Sequence, residues 1–152
     1  MFGLQASGFR FANVVGPRQT HGVGYDFIRK LRENPHELSI LGDGSQSKSY
    51  LHVDDVLRAL AKVLAADLPG FTAFNVSTGD AISVREIADM VCAKMKLEGV
   101  NYRYSGGKRG WKGDVPVIRL SADAIRKLGW EPERNSAEAI SASLDAMLAE
   151  KV

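Results

Sequence analysis

The sequence predicts an α/β fold, in which short strands alternate with amphipathic helices along the chain. Two observations carry this prediction: runs of aromatic and β-branched residues recur, and stretches with apolar residues at helical spacing lie between them. A third is that Gly, Pro and Asn stand at most of the boundaries. With 152 residues and a hydrophobic content of 45%, the chain has enough apolar material for one core.

Charge and cysteine content limit the expected partners. The 20 Lys and Arg residues nearly balance the 18 Asp and Glu residues, so the net charge of +2 is too small to indicate nucleic acid or an anionic membrane. Cys92 is the only cysteine, which excludes an internal disulfide, and no Cys and His residues have zinc-site spacing. No apolar run approaches the roughly 18 residues of a membrane span. We expect a cytoplasmic protein without a metal site and without a nucleic-acid or membrane partner.

The first third of the chain is predicted to form a strand, a helix and a second strand. Residues 8–15 are mostly apolar, aromatic or β-branched and are followed by Gly16-Pro17, which indicates a strand running into a loop. Between residues 24 and 31 the apolar residues lie at helical spacing, and Asn34-Pro35 ends that helix. Residues 38–41 form the second predicted strand.

A glycine-rich segment follows, with the sequence Leu-Gly-Asp-Gly-Ser-Gln-Ser-Lys-Ser-Tyr-Leu-His-Val-Asp-Asp over residues 41–55. Gly42 and Gly44 can adopt positive φ angles, which suits a tight loop. Strand alternation after the loop places Lys48, Tyr50 and His52 on one face, opposite the residues between them. A cation and hydrogen-bonding side chains on one face indicate a binding site.

The remaining elements continue the alternation. Asp54 or Asp55 is expected to cap a helix that begins at residue 53, and Ser83 with Glu86 has the pattern of a capping box. Further predicted elements are a strand over residues 71–76, a helix from residue 84, a strand over residues 100–104, a polar glycine-rich loop over residues 105–116, a helix capped by Ser121, and a last helix opened by Ser136.

Five segments, in this order, resemble the carboxyl-terminal half of the extended short-chain dehydrogenase/reductases, namely the NAD-dependent nucleotide-sugar epimerases and dehydratases of the UDP-glucose 4-epimerase type. They are Arg10-Phe-Ala-Asn13 with Gly16-Pro17-Arg18, Leu41-Gly-Asp-Gly44 through Tyr50-Leu-His-Val-Asp54, Phe74-Asn-Val-Ser-Thr-Gly79, Gly113-Asp-Val115, and Leu128-Gly-Trp-Glu-Pro132. Together they extend over nearly the whole chain.

The resemblance refines the expected fold to the last strands of a Rossmann-type sheet plus the small α+β substrate-binding domain. It places the family's glycine fingerprint and its catalytic Tyr-x-x-x-Lys pair upstream of Met1. Residues 1–152 are therefore expected to form a single incomplete domain without the dinucleotide-binding half. None of the tyrosines is assigned as the catalytic base, and NAD, the cofactor of the intact family, is not expected to bind this chain alone.

The resemblance also assigns substrate contacts. Asn13 corresponds to a residue on the diphosphate of a nucleotide sugar, although an Asn at a strand end also serves in turns. Lys48 stands where the family usually has a phosphate-gripping Arg, and a solvated surface Lys is the alternative. Tyr50 is expected to face the site. Ser39 and Leu41 correspond to positions that line the base pocket.

The polar loop and two apolar residues complete the expected site. Trp111 replaces the family's second phosphate-binding Arg, so Arg109 or Lys112 is expected to substitute for it. Asp114 is expected to reach the ribose. The cofactor-side residues implied by the resemblance are Phe11 and Pro17, near the nicotinamide, and core packing is the alternative for both.

Three other reactive-looking features have a structural interpretation that we favour. His52 is expected to be a half-buried histidine with its hydrogen bonds satisfied rather than a catalytic one. Asp54 and Asp55 are expected to be helix caps rather than an acid/base pair. Cys92 lies on the apolar face of its helix and is expected to behave as a small core residue.

The expected function is that of the nucleotide-sugar-binding portion of an NAD-dependent epimerase or dehydratase, inactive by itself. Unpaired strand edges predict self-association. A non-enzymatic interaction module, or the partner of a separately encoded NAD-binding half, is the alternative. Nucleic-acid binding by the loop over residues 108–112 is a weaker third hypothesis.

Overall fold

The structure, a computed structural model, describes residues 4–107 and 120–150. Strands and helices alternate as the sequence predicts. The elements are β1 (Ala6–Phe11), β2 (Asn13–Val15), α1 (Val23–Glu33), β3 (Glu37–Ile40), β4 (Ser47–Lys48), β5 (Tyr50–His52), α2 (Val53–Leu64), β6 (Phe71–Val76), β7 (Ile82–Ser83), α3 (Val84–Lys94), β8 (Asn101–Tyr104), α4 (Asp123–Arg126) and α5 (Ser136–Ala149).

The strands within the described residues pair two by two. Three pairs are parallel: β1 with β6, β2 with β5, and β3 with β8. The fourth, β4 with β7, is antiparallel. Parallel pairing requires a crossover between the partners, and α1, α2 and α3 lie in these crossovers. This arrangement confirms the α/β prediction.

The single strand predicted over residues 8–15 is wrong, because the chain changes its partner strand at Ala12. The Ala12 N–H still donates to the Val76 carbonyl at 3.0 Å, whereas the Asn13 N–H donates to the Ser49 carbonyl at 3.2 Å. β1 therefore belongs with β6, and β2 belongs with β5. Long-range hydrogen bonding, which residue types do not reveal, divides the strand.

A second break, at Ser49, overturns the simple alternation predicted after the glycine-rich loop. β4 pairs with β7, and β5 pairs with β2. All three residues of β5, namely Tyr50, Leu51 and His52, are buried. Both faces of this short parallel strand are covered, which is usual for parallel sheets.

Three helix caps differ from the expected ones, and at α4 the N-cap is Ala122 instead of Ser121. His52, not Asp54 or Asp55, caps α2, since its Nδ1 accepts the Asp54 N–H at 3.3 Å. Asn135 caps α5 in a capping box with Glu138, so α5 begins with a buried Ser136 instead of being capped by it.

The predicted capping box of α3 is confirmed. Ser83 Oγ accepts the Glu86 N–H at 3.2 Å, and the Glu86 carboxylate accepts the Ser83 N–H at 2.8 Å. Hydrogen bonds from the Ser83 side chain and backbone lower the pKa of Glu86. At α4, Ser121 Oγ accepts the Asp123 N–H at 3.3 Å, and the helix begins at Asp123.

Asp55 has a structural role different from that of its neighbour. Its side chain is fully buried, pairs with Arg58, and accepts the Glu133 N–H at 2.8 Å. Its carbonyl accepts the indole N–H of Trp130 at 3.1 Å. Asp54 is exposed and lies 3.6 Å from the Arg134 guanidinium. Asp55 thus fastens the start of α2 to the segment around Trp130.

The buried apolar residues form two clusters. The first, which we call the cleft-side cluster, contains the apolar faces of α1, α3 and α5 with the inner residues of β3. The second, the sheet-side cluster, lies between β6, α2 and α4 and is centred on Trp130. None of the helices in the described residues is long and apolar enough to cross a membrane.

Candidate functional site

A cleft of about 540 Å³ lies between β2, the start of α1, the glycine-rich loop and α5. Four of the residues that the sequence assigned to the substrate line it together: Asn13, Leu41, Lys48 and Tyr50. They come from two separate stretches of the chain, β2 and the segment over residues 41–55. Their convergence makes this cleft the candidate site.

Asn13 and Lys48 lie on one wall of the cleft. The Asn13 Nδ2 donates to the Ser49 carbonyl at 3.1 Å, and the Asn13 N–H donates to the same carbonyl. Asn13 thus fastens β2 to the junction of β4 and β5 while it lines the cleft. This contact with the backbone gives Asn13 a structural role in addition to its place in the lining of the cleft. Lys48 is partly buried here, so it is not a fully solvated surface lysine.

Tyr50 and the residues predicted for the base pocket are placed differently from one another. Tyr50 is buried beneath the cleft, and Leu41 is exposed at its edge. Ser39 is outside the lining, and its carbonyl instead accepts a hydrogen bond from Lys30 Nζ at 3.1 Å. Lys30 does line the cleft.

The opposite wall is the beginning of α1, where the sequence predicted no site residue. Gly22 is the N-cap, and none of the described side chains caps this helix there. The first N–H groups of such a helix lack intrahelical acceptors and carry a partial positive charge. Asp26 also lies on this wall, and its carboxylate is 2.6 Å from Lys30 Nζ.

Glycine at the start of α1 has a packing reason. A Cβ on Gly24 would lie 2.9 Å from a methyl carbon of Leu144, so a larger residue would push α1 away from α5. The sequence signal that could have indicated this wall is Gly22-Val-Gly24 directly before an amphipathic stretch. Glycines there leave backbone N–H groups accessible to an anion.

The glycine-rich loop is confirmed as a tight turn. Gly42 and Gly44 have φ angles of 79° and 81°. The Asp43 carboxylate accepts the Ser45 N–H at 2.9 Å, and the Gly42 N–H donates to Ser105 Oγ at 2.8 Å. These bonds hold the loop beside Lys48.

The two residues predicted to face the cofactor do not share one depression. Phe11 is 39% exposed and lines a hollow of about 100 Å³ next to Asn13 and Lys48. Pro17 is exposed and lines neither that hollow nor the cleft. Two apolar side chains without a backbone cradle for a pyrophosphate do not fit NAD by themselves.

Three predicted residues, Arg109, Lys112 and Asp114, lie outside the described residues, and so does Trp111. They stay predictions.

The catalytic spacing Tyr-x-x-x-Lys does occur once in the sequence, at Tyr104 and Lys108. Tyr104 lies in strand β8, outside the cleft, and its hydroxyl oxygen accepts a hydrogen bond from Arg85 at 3.4 Å. Residues 107, 110 and 113 likewise repeat a Gly-x-x-Gly-x-x-Gly spacing, in the segment after β8 and not before a first helix. Lys108 and residues 110 and 113 lie outside the described residues.

His52 and Cys92 agree with the structural interpretation favoured for them, whereas Asp54 and Asp55 do not cap α2. His52 is more deeply buried than expected, at 6% exposure, and caps α2. Cys92 is buried and accepts a hydrogen bond from the Tyr102 hydroxyl at 3.4 Å. Burial, followed by the Cys92 and Asp89 hydrogen bonds, raises the pKa of Tyr102.

Comparison with known proteins places these features in a family. Residues 1–77 match the NAD dependent epimerase/dehydratase family. A putative UDP-glucose 4-epimerase of Methanocaldococcus jannaschii is 31% identical over 144 residues, which is 92% of this chain and 45% of that protein. The UDP-glucose 4-epimerase of Mycolicibacterium smegmatis is 33% identical over 154 residues, or 95% of this chain and 46% of that one.

Solved structures agree with the sequence matches. A UDP-galactose 4-epimerase crystal structure superposes with a TM-score of 0.82 at 38% identity, covering 100% of this chain and 48% of that one. The Thermotoga maritima UDP-glucose 4-epimerase gives a TM-score of 0.78 at 27% identity, with 94% and 46% covered. This chain spans less than half the length of these relatives and has the corresponding part of the extended short-chain dehydrogenase/reductase fold. It belongs to the NAD-dependent epimerase/dehydratase family.

Proposed function

We propose that the cleft binds the diphosphate of a nucleotide sugar and that the chain is the substrate-binding portion of an NAD-dependent epimerase or dehydratase. The observation that carries the proposal is the convergence of Asn13, Lys48 and Tyr50 on one wall, opposite the start of α1. A diphosphate between these walls meets a cation on one side and backbone N–H groups on the other.

The size and composition of the cleft support this assignment. A volume of about 540 Å³ lies within the usual range of small-ligand sites. Its lining combines buried apolar residues, Phe27, Ile140 and Leu144 among them, with polar residues, some of which are also buried. Lys30 and Lys48 together outnumber the single carboxylate, Asp26, in the lining, so an anionic ligand is favoured over a cationic one.

Two solved relatives support the substrate class. The Thermotoga maritima UDP-glucose 4-epimerase structure contains UDP-glucose. The MoeE5 structure, 26% identical with a TM-score of 0.78, contains UDP-glucuronic acid and NAD. We extend only the class, a nucleoside diphosphate sugar, to this chain. The hydride chemistry of the family needs a dinucleotide cradle and a catalytic base, so residues 1–152 alone are proposed to bind the sugar nucleotide without converting it.

Binding of UDP-glucose measured by isothermal titration calorimetry tests the proposal. We expect Lys48→Ala to weaken binding roughly 10- to 100-fold, since a charged hydrogen bond to a phosphate is lost. Lys48→Arg is expected to retain or improve binding because a guanidinium can hold two phosphate oxygens. Lys62→Ala, at an exposed lysine near the end of α2, is the matched control and should leave affinity unchanged.

Two results would contradict the assignment. The first is that the unaltered chain does not bind UDP-glucose, UDP or dTDP-glucose at millimolar concentration. The second is that Lys48→Ala and Lys62→Ala have the same affinity as the unaltered chain. Sugar turnover by residues 1–152 with NAD added would overturn the proposed division of labour.

The pairing of β1 with β6 favours a second function, that of a partner for another polypeptide. Parallel strands occur almost only in larger sheets covered on both faces. Here the parallel pair stands as a two-stranded sheet, and Phe71 at its beginning is 72% exposed. We propose that this sheet is extended either by a second copy of the chain or by a separately encoded NAD-binding half. Mixing the chain with such a half and measuring NAD binding separates the two.

A further inference from the structure

Helix α5 carries two buried serines on its otherwise apolar inner face. Ser136 is 0% exposed and Ser143 is 1% exposed, and apolar residues such as Ile140 and Leu144 surround them in sequence. Seven residues correspond to about two helical turns, so both hydroxyls lie on one face roughly 10 Å apart. A buried hydroxyl needs hydrogen-bond partners, and the partners of each serine belong to a different wall of the cleft.

Ser136 holds the wall that contains Lys48 and Tyr50. Its Oγ accepts the Tyr50 N–H at 2.9 Å and donates to the Asp80 carboxylate at 2.8 Å. It also lies 3.0 Å from Thr78 Oγ1, which is 2.8 Å from Ser49 Oγ. The bonds therefore reach both residues that directly follow Lys48.

Ser143 holds the loop after β2, which leads into the wall at the start of α1. Its Oγ lies 3.2 Å from the Gly16 carbonyl and 3.1 Å from Gln19 Oε1, and its one O–H is within donating distance of both oxygens. Gln19 lines the cleft. A Cβ on Gly16 would lie 2.7 Å from a methyl carbon of Val53, so this loop also passes close to the start of α2.

We infer that Ser136 and Ser143 are positioning residues, each of which fixes one wall of the cleft on α5 so that the width of the cleft is set by this helix. The inference deepens the proposed function and rests on it for the identity of the ligand. Ser143 also lines the cleft, whereas Ser136 does not, and neither serine is assigned a contact with the ligand. If the two hydroxyls only completed hydrogen bonds within the core, they would not each bond to a different wall of the cleft.

Amide hydrogen exchange of the full chain, without any ligand, tests the anchoring. In Ser136→Ala we expect faster exchange at the Tyr50 amide, which loses its acceptor, and unchanged exchange in the loop over residues 16–19. In Ser143→Ala we expect the reverse. Ser141→Ala is the control, because residue 141 points about 140–160° away from both serines on the same helix.

Titration with UDP-glucose tests the consequence. Each alanine variant is expected to bind roughly threefold to tenfold more weakly, as for the loss of one neutral hydrogen bond. Ser136→Thr and Ser143→Thr keep the hydroxyl and are expected to restore most of the affinity. If an alanine variant does not fold, its threonine counterpart and Ser141→Ala are compared by the same two measurements.

The outcomes distinguish this inference from the proposed function. Uniform exchange changes, or none at either wall, would overturn the anchoring. Local exchange changes with undiminished UDP-glucose affinity would overturn the role in ligand positioning. If the unaltered chain does not bind UDP-glucose, the proposed function fails, and local exchange changes would still support the attachment of the two walls to α5.

Discussion

The cleft-side and sheet-side clusters differ in how much apolar surface they leave exposed. Around the cleft-side cluster, α1, α3 and α5 enclose the buried residues, and the large exposed apolar residues nearby, Val14 and Leu41, line the cleft itself. The elements around the sheet-side cluster leave more apolar surface exposed. Their large exposed apolar residues among those described are Leu4, just before β1, Phe11, Leu57, Leu64 and Phe71.

The two clusters thus differ in whether the elements of this chain alone cover their apolar surface. The cleft-side cluster is closed by elements of this chain, and its exposed apolar residues coincide with a ligand site. The sheet-side cluster is well packed inside, where Trp130 and Val76 are almost fully buried, yet its parallel sheet has only two strands among residues 4–107 and 120–150. This exposed apolar surface supports the proposal that the sheet is extended by another polypeptide.

The largest effect is expected for Trp130→Ala, which tests whether the sheet-side interior is as tightly built as the cleft side. The indole is 2% exposed and donates to the Asp55 carbonyl. Its removal is expected to lower the free energy of unfolding by about 3–5 kcal/mol. Urea denaturation measures this. Leu64→Ala, at an exposed residue of α2, is expected to change it by less than about 0.5 kcal/mol.

Leu144→Ala, in the cleft-side cluster, is expected to destabilise by about 2–5 kcal/mol. It should also weaken UDP-glucose binding, because Leu144 lines the cleft and packs against Gly24. Trp130→Ala should leave the affinity of the folded fraction unchanged, since Trp130 does not line the cleft. Equal effects of both variants on affinity would contradict the division into two regions.

Phe71→Thr is expected to change stability by no more than about 0.5 kcal/mol, because the ring is largely exposed and threonine suits a strand. We expect a smaller associated fraction in sedimentation velocity at a given concentration. A chain that is monomeric with either residue would break the assignment of the sheet as an interface for its own copies.

The smallest effect concerns pH. Burial raises the pKa of Asp80, but hydrogen bonds from Thr78 and Ser136 outweigh it, and the net result lies below the ordinary 3.8. The carboxylate therefore contributes stability above pH 3.8 that is lost as the pH falls through its folded-state pKa. Asp80→Asn is expected to flatten the acid side of the stability curve, measured by thermal unfolding between pH 2 and pH 6. An unchanged slope would contradict this.

Local signals in the sequence predicted some of these features well. Ser83 and Glu86 interact three residues apart, so the capping box of α3 could be recognised from two neighbouring residues. His52 could not be recognised as a cap in this way, because histidine is not among the usual capping residues and Asp54 stood beside it. Ser136 was mistaken for a cap although Asn135 precedes it.

Features that depend on distant contacts were missed. The strand break at Ala12 follows from its bond to Val76, 64 residues away, which residue types in β1 do not encode. The wall of the cleft at Gly22 is the beginning of α1, whose free backbone N–H groups leave no signal in the sequence apart from glycine. Strand alternation already indicated Lys48, but only the resemblance linked it to Asn13, which lies 35 residues away in the sequence.

The change of partner at Ala12 also makes the cleft sensitive to errors of strand alignment. β1 pairs with β6, with Phe11 opposite Val76, and Asn13 follows Phe11 after one residue. If β1 paired with β6 one residue out of register, each side chain of β1 would face the opposite side of the sheet. A shift of two residues would keep the faces but would displace β1 along β6 by about 6.6 Å. Asn13 would then leave the cleft altogether. Formation of the ligand site therefore depends on the correct register of β1 and β6, because only Ala12 separates β1 from Asn13.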